Sequence, residues 1–427
     1  MAAILVLIVF LVSASLVIRS WRARGSEEKA RYAAGLRPYP LVGHLPQFLS
    51  NRHRILDWMT EVLAQQPTGT FVLRRPGGVR EVVTVNPANV EHFLRARFDN
   101  YPKGELFASR LHDFLGGGMF NADGEAWRVQ RKAASYEFNT RSLRAFVAGC
   151  VHREIHGRLL PLLRRAAASG GSTIDLQDTL ERFSFDNICR VAFDHDPGQL
   201  PDGDDDDART EFDGSASAIF ADAFRDAANI SAGRFRYAVP EFWKVKKALN
   251  VGSERRLRES IRIVHDFADR IIRSRREEMI ACCEKRDLLS RFMAIQDVRY
   301  SEAQADDVLP DGTAVGAGWF VAYNTYAMGR MEAVWGEDAA EFRPERWLDP
   351  VDGTFRPDSP FRYVVFHGGP RLCLGKEMAY IQMKSIIACV LQELELVVVG
   401  AYRPRQVASL TLRMADGLPV RVKVRHG

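Results

Sequence analysis

Residues 366–375 read FHGGPRLCLG. One cysteine, Cys373, stands among three glycines and a proline, with Arg371 two positions ahead of it. The next stretch, KEMAYIQMKSIIACVLQEL (376–394), has the apolar density of a buried or amphipathic helix. Cys373 therefore falls where a loop runs into a helix N-terminus. Backbone N–H groups there lack intrahelical acceptors and carry partial positive charge, a setting that favours a thiolate. Gly368, Gly369 and Gly375 allow the backbone to approach a flat ligand closely. Arg371 offers a planar fork suited to a carboxylate, and Phe366 can shield the sulfur from water. Together they describe a loop that presents a shielded thiolate to a large cofactor bearing acidic groups.

Outward from this loop the chain reads as mainly α with small β-sheets. Helical apolar spacing marks 55–63, about 123–138, 141–166, 175–192 and a long stretch at about 252–293. TFVLRRPGGVREVVTV (70–85) reads as two strands about a Pro-Gly-Gly turn, and SLTLRM (409–414) and PVRVKV (419–424) as closing strands. The acidic run at 201–209 lacks the ligand spacing of a calcium loop and reads as a solvated loop. With 427 residues, 46% of them hydrophobic, the chain can bury a large core. A net charge of +5 is too slight to argue for nucleic acid; a basic face for an anionic membrane or an acidic protein accounts for it equally well. The six cysteines form no CxxC pair, which leaves no zinc pattern and no disulfide framework.

The first eighteen residues read as a membrane anchor. Positions 2–18 carry no charge, and Arg19, Arg22, Arg24, Lys29 and Arg31 come after them. The length is at the short end of a bilayer span, and the trailing positive charge predicts that the rest of the chain stays cytosolic. A cleaved signal peptide, with SAS at 13–15 as its small-residue site, would have basic residues ahead of the apolar run, and none is present. Residues 19–46 form a basic and proline-rich elbow, stiffened by Pro38, Pro40 and Pro46.

FHGGPRLCLG resembles the F-x-x-G-x-R-x-C-x-G haem-binding loop of the cytochrome P-450 family, through Phe366, Gly369, Arg371, Cys373 and Gly375. WRVQR (127–131) is similar to the W-x-x-x-R of the family's third helix, and FRPERW (342–347) to the segment ahead of the cysteine loop. Residues 100–138 and 308–347 resemble, more narrowly, the plant fatty-acid ω-hydroxylase clan, which includes enzymes oxidising a jasmonoyl-isoleucine hormone. The resemblance implies haem b held by Cys373 as axial iron ligand, with Trp127 and Arg131 on a haem propionate. It implies a monooxygenase that inserts one oxygen atom of O2 into a terminal C–H bond of a fatty acid or a fatty-acid-derived conjugate. Electrons would come from NADPH through a flavoprotein reductase, with Lys132 and Lys376 as candidates to meet it. Phe107, Phe114 and Leu410 fall in regions that line the substrate in the family. The expected location is the endoplasmic reticulum membrane, with a single-pass anchor and residues 47–427 as a cytosolic catalytic domain.

Two family features are absent from the sequence. No A/G-G-x-D/E-T string occurs, so the acid–threonine pair expected to deliver protons to dioxygen is missing. The three E-x-x-R strings, starting at Glu28, Glu125 and Glu259, all lie far upstream of the place the family uses. DLLSRFMA (287–294) reads as the lead-in to the distal helix, yet 298–313 already resembles the strand region that comes after the family's E-x-x-R helix. About a hundred residues are therefore expected to be missing near 301–306, judged against a family length near 500. The P-450 fold would be incomplete, Arg346 would lose its partners, and apolar surface would be uncovered. The alternative reading is a non-catalytic, membrane-bound form that binds haem or reductase without turnover.

Overall fold

The computed structural model describes residues 36–138, 141–170, 172–193, 195–201, 211–237, 241–280, 300–408 and 411–425. The anchor at 1–18, most of the acidic run, the lead-in at 287–294 and Leu410 lie outside them. In chain order the principal elements begin with α1 (Ile55–Ala64), β1 (Thr70–Arg74), β2 (Arg80–Thr84) and α2 (Pro87–Glu91). Next come α3 (Glu105–Leu115), α4 (Gly124–Phe138), α5 (Arg141–Glu154), α6 (Leu160–Ala168), β3 (Thr173–Asp175) and α7 (Leu176–Phe193). After these come α8 (Glu211–Gly233), α9 (Phe242–Leu249), α10 (Ser253–Ile280), β4 (Tyr300–Glu302) and β5 (Phe320–Tyr323). The last are α11 (Lys376–Glu393), β6 (Leu394–Val398), β7 (Gln406–Ala408), β8 (Leu412–Met414) and β9 (Pro419–Val424).

Residues 36–104 and 300–372 form one compact unit. The hairpin expected at 70–85 is present, with Thr70 opposite Thr84 and Gly77 and Gly78 both at positive φ in its turn. β2 then pairs in parallel with β5, Val82 facing Val321, and β4 closes the sheet antiparallel to β5. One face of α1, carrying Trp58, Met59, Val62 and Leu63, is buried in the core with Val82, Val83, Phe93, Leu94 and Tyr323. The proline-rich stretch is tied into this unit: Leu36 and His44 are buried, and His44 Nε2 bonds the Leu36 carbonyl at 2.9 Å. Burial holds the His44 imidazole below its ordinary pKa.

Residues 105–237, 241–280 and 373–425 form the second unit. A three-stranded antiparallel sheet in the order β3-β9-β6 underlies α6, and Leu160, Leu163, Phe183, Val390 and Val422 share one core. α5 and α6 are joined by a π-helical turn, Ile155–Leu159. α8 packs on α10 through Phe220, Ala223, Val264 and Phe267.

A buried ionic cluster joins α5 to α7 and to the loop after it. Arg158 makes two 2.7 Å hydrogen bonds to Asp196 and lies 3.3 Å from Glu154. Asp186 accepts from the backbone N–H groups of Gln199 and Leu200. Burial raises the carboxyl pKa values of Glu154 and Asp186. It would raise Asp196 as well, but the hydrogen bonds from Arg158 hold that carboxyl below its usual range.

α11 is apolar on two faces. Met378, Ile381, Ile386 and Cys389 pack on the core of the second unit. Met383, Ile387 and Leu391, spaced one turn apart on the other side, are 44%, 57% and 44% exposed. Among the described residues, the first of these faces is covered and the second is not.

Candidate functional site

Of the cysteine loop, Phe366, Gly369 and Arg371 belong to the first unit and Cys373 and Gly375 to the second. In the first unit the loop is held close to the turns after α2. Gly369 has φ +60°, and a Cβ there would stand 2.2 Å from the Leu94 carbonyl oxygen. A Cβ on Gly368 would meet the Phe361 ring at 2.6 Å. The Arg371 guanidinium lies over the Phe98 ring at 5.2 Å, and His367, at φ +58°, has its Nδ1 in a hydrogen bond with the Tyr323 hydroxyl. Glycine at 369 thus answers a backbone demand, since no other residue combines that φ with so close an approach. Gly369→Ala is expected to cost about 1–3 kcal/mol from backbone strain, before the collision with Leu94 is counted. A lower urea midpoint, with weaker haem retention, would show it; an unchanged midpoint would remove the demand.

In the second unit, Cys373 is a half-buried thiol three residues ahead of α11. Gly375 is the non-helical residue capping that helix, and a Cβ on it would lie 3.9 Å from the Cys373 sulfur. Trp127 and Arg131, four residues apart on α4, fall on one face of that helix, Trp127 buried and Arg131 half-buried. Lys132 is exposed on the same helix, and half-buried Lys376 lies over the Tyr380 ring at 5.9 Å. Phe107 is buried on α3 with its ring 5.5 Å from Phe235, and half-buried Phe114 makes an edge contact with Phe224 at 5.1 Å. Within the second unit, a thiol ahead of a helix can supply a soft metal ligand, and an indole N–H with a guanidinium on the same helix face suits a carboxylate; in the first unit the Arg371 guanidinium suits a carboxylate as well.

Arg346 corrects one expectation. Its guanidinium bonds Asp338 Oδ1 at 3.2 Å and the Asp338 carbonyl at 3.0 Å, with the Trp335 carbonyl at 3.4 Å. The neighbouring loop supplies acceptors, so no uncompensated charge results. The contacts of Leu94 and Phe98 with the cysteine loop went unread, because nothing in the local sequence marks a carbonyl that a distant glycine must approach.

Among the described residues no helix is long and apolar enough to cross a membrane, and no group of three or more His, Cys, Asp or Glu side chains is arranged to hold a metal ion.

Known proteins resemble this chain in sequence and in fold. The family model described as Cytochrome P450 matches residues 34–308 and 299–411. The chain is similar to Cytochrome P450 CYP94D108 of Paris polyphylla, at 41% identity over 469 aligned positions covering 89% of the chain and 90% of that protein. It is 36% identical to Cytochrome P450 94B3 of Arabidopsis thaliana over 505 positions, which cover 98% of the chain and 97% of the relative. That alignment is longer than the chain's own 427 residues, so the relative carries residues for which the chain has no counterpart. The fold matches the crystal structure of cytochrome P450DA heme domain with a TM-score of 0.68 at 17% identity, over 91% of this chain and 97% of that one.

Proposed function

The chain belongs to the cytochrome P450 family of haem-thiolate monooxygenases, and from that premise we propose that its substrate is a fatty acid or a fatty-acid-derived conjugate, oxidised at a terminal C–H bond. As a family member it takes haem as cofactor, O2 as co-substrate and electrons from a reductase. The observation that carries the reading is the F-x-x-G-x-R-x-C-x-G loop running into α11. Its support for the substrate is the resemblance of 100–138 and 308–347 to the fatty-acid ω-hydroxylase clan.

In this reading Cys373 is the axial iron ligand. Trp127, Arg131 and Arg371 take the propionates, Phe366 screens the sulfur, and Gly369 and Gly375 let the loop lie against the ring. Haem, when bound, would supply O2 activation, with the Cys373 thiolate as its electron-donating ligand. Phe107, Phe114 and Leu410 are assigned to the substrate, residues 2–18 to an anchor in the endoplasmic reticulum membrane, and Lys132 and Lys376 to the NADPH-dependent reductase.

We further propose that about a hundred residues are missing between 301 and 306, judged against the family's usual length. Two findings support this: the family model matches in two stretches that meet at 299–308, and the alignments outrun the chain. Without the family's acid–threonine pair the chain lacks that route for protons to O2, and turnover is expected to be impaired. That absence favours the second reading, a form that binds haem or reductase without turnover.

The spectrum of the purified chain, reduced and exposed to carbon monoxide, is the test. A strongly red-shifted Soret band, with hydroxylated product from a fatty acid, supports the first reading. The same band without product supports the second. No haem band at all removes both for the chain as it stands.

A further inference from the structure

Arg234 has the largest of the side chains that are almost wholly enclosed, at 1% exposure, and it stands in the turn after α8. Its Nε and Nη2 donate to Glu254 of α10 at 3.1 and 2.5 Å. Nη1 donates to the carbonyl of Arg110 at 2.8 Å, and Nη2 also reaches Asp113 at 2.7 Å. Its guanidinium lies over the Trp243 ring of α9 at 4.2 Å. Lys247 holds the other oxygen of Asp113 at 2.7 Å. One planar cation thus ties α3 to α9 and α10, and the next residue, Phe235, packs against Phe107 of α3. α3 is a short element to hold in place: it has eleven residues and is flanked by Gly104 at φ +80° and Gly116 at φ +54°.

We propose that Arg234 is a positioning residue for substrate: it clasps α3, the segment that carries Phe107 and Phe114, and so fixes where those two side chains stand. The substrate half of this rests on the fatty-acid reading above; the clasp does not. The fork geometry matters, because one guanidinium makes four hydrogen bonds in fixed directions, whereas an ammonium has three donors radiating from a single nitrogen.

The experiment uses the full chain and two variants, Asp113→Asn, which leaves the Arg234–Glu254 pair in place, and Arg234→Lys. Hydrogen exchange is followed at 105–115 and, as a fold control, at 376–393. Binding of dodecanoate is measured in parallel by equilibrium dialysis, which needs neither haem nor turnover. Both variants are expected to speed exchange at 105–115 by about tenfold, the loss of a charge-assisted hydrogen bond, with 376–393 unchanged and dodecanoate bound several-fold more weakly. Unchanged exchange at 105–115 overturns the clasp. Faster exchange with unaltered dodecanoate affinity overturns the positioning role. If the unaltered chain binds no dodecanoate, the fatty-acid reading fails and takes the positioning role with it, while the exchange data still decide the clasp.

Discussion

Replacing Cys373 by alanine abolishes the red-shifted band of the reduced, carbon-monoxide-treated protein while leaving the helical circular dichroism unchanged. That is the expected result, and its size comes from the chemistry of the loop. The band reports a thiolate on iron, and among the described residues no second cysteine stands near the α11 N-terminus to replace the first. Cys150 and Cys189 are buried in the helical core, and Cys389 lies well along α11, 4.0 Å from His156. The helix itself does not depend on the thiol, since Met378, Ile381 and Ile386 anchor it to the core of the second unit. Cys373→Ser is expected to behave alike, because a hydroxyl fills the same space without becoming a thiolate at neutral pH. A variant that kept the band would move the iron ligand elsewhere and sink the assignment.

Arg158→Met is expected to destabilise the protein by about 3–5 kcal/mol, the usual consequence of removing one partner of a buried ionic cluster. Glu154 and Asp186 would remain enclosed, and Asp196 would lose two 2.7 Å hydrogen bonds. Arg190, which approaches Glu154 at 3.6 Å and also reaches Asp196, cannot serve all three carboxyls. Urea unfolding followed by circular dichroism measures the loss. A change below about 1 kcal/mol would mean the cluster behaves like a surface ion pair.

The sequence made plain what depends on near neighbours. The helices at 55–64, 124–138, 176–193 and 376–393 and the hairpin at 70–84 come from apolar spacing and from one Pro-Gly-Gly turn. The iron-ligand candidate was legible because five spaced residues around Cys373 form a pattern that is hard to meet by accident. The features that stayed hidden depend on distant parts of the chain. Asp338 as partner of Arg346, the Leu94 carbonyl against Gly369 and the contacts of Arg234 each join residues whose own neighbourhoods look ordinary. Glu154 and Arg158 show a helical i, i+4 pairing in sequence, but nothing there reveals that the pair is buried or that Asp186 and Asp196 complete it.

The parallel pairing of β2 with β5 sets a waiting time. Val82 and Val83 are made early, and their partners Val321 and Ala322 emerge only after more than half of the chain has been synthesised. At about 5–20 residues per second, β2 stands for roughly 10–50 s beside an empty place in its sheet. During that interval the nascent hairpin offers an open apolar edge, the kind of surface that chaperones hold and neighbouring chains on a crowded polysome can join. The yield of correctly closed protein is therefore decided on the ribosome as much as by the stability of the finished fold.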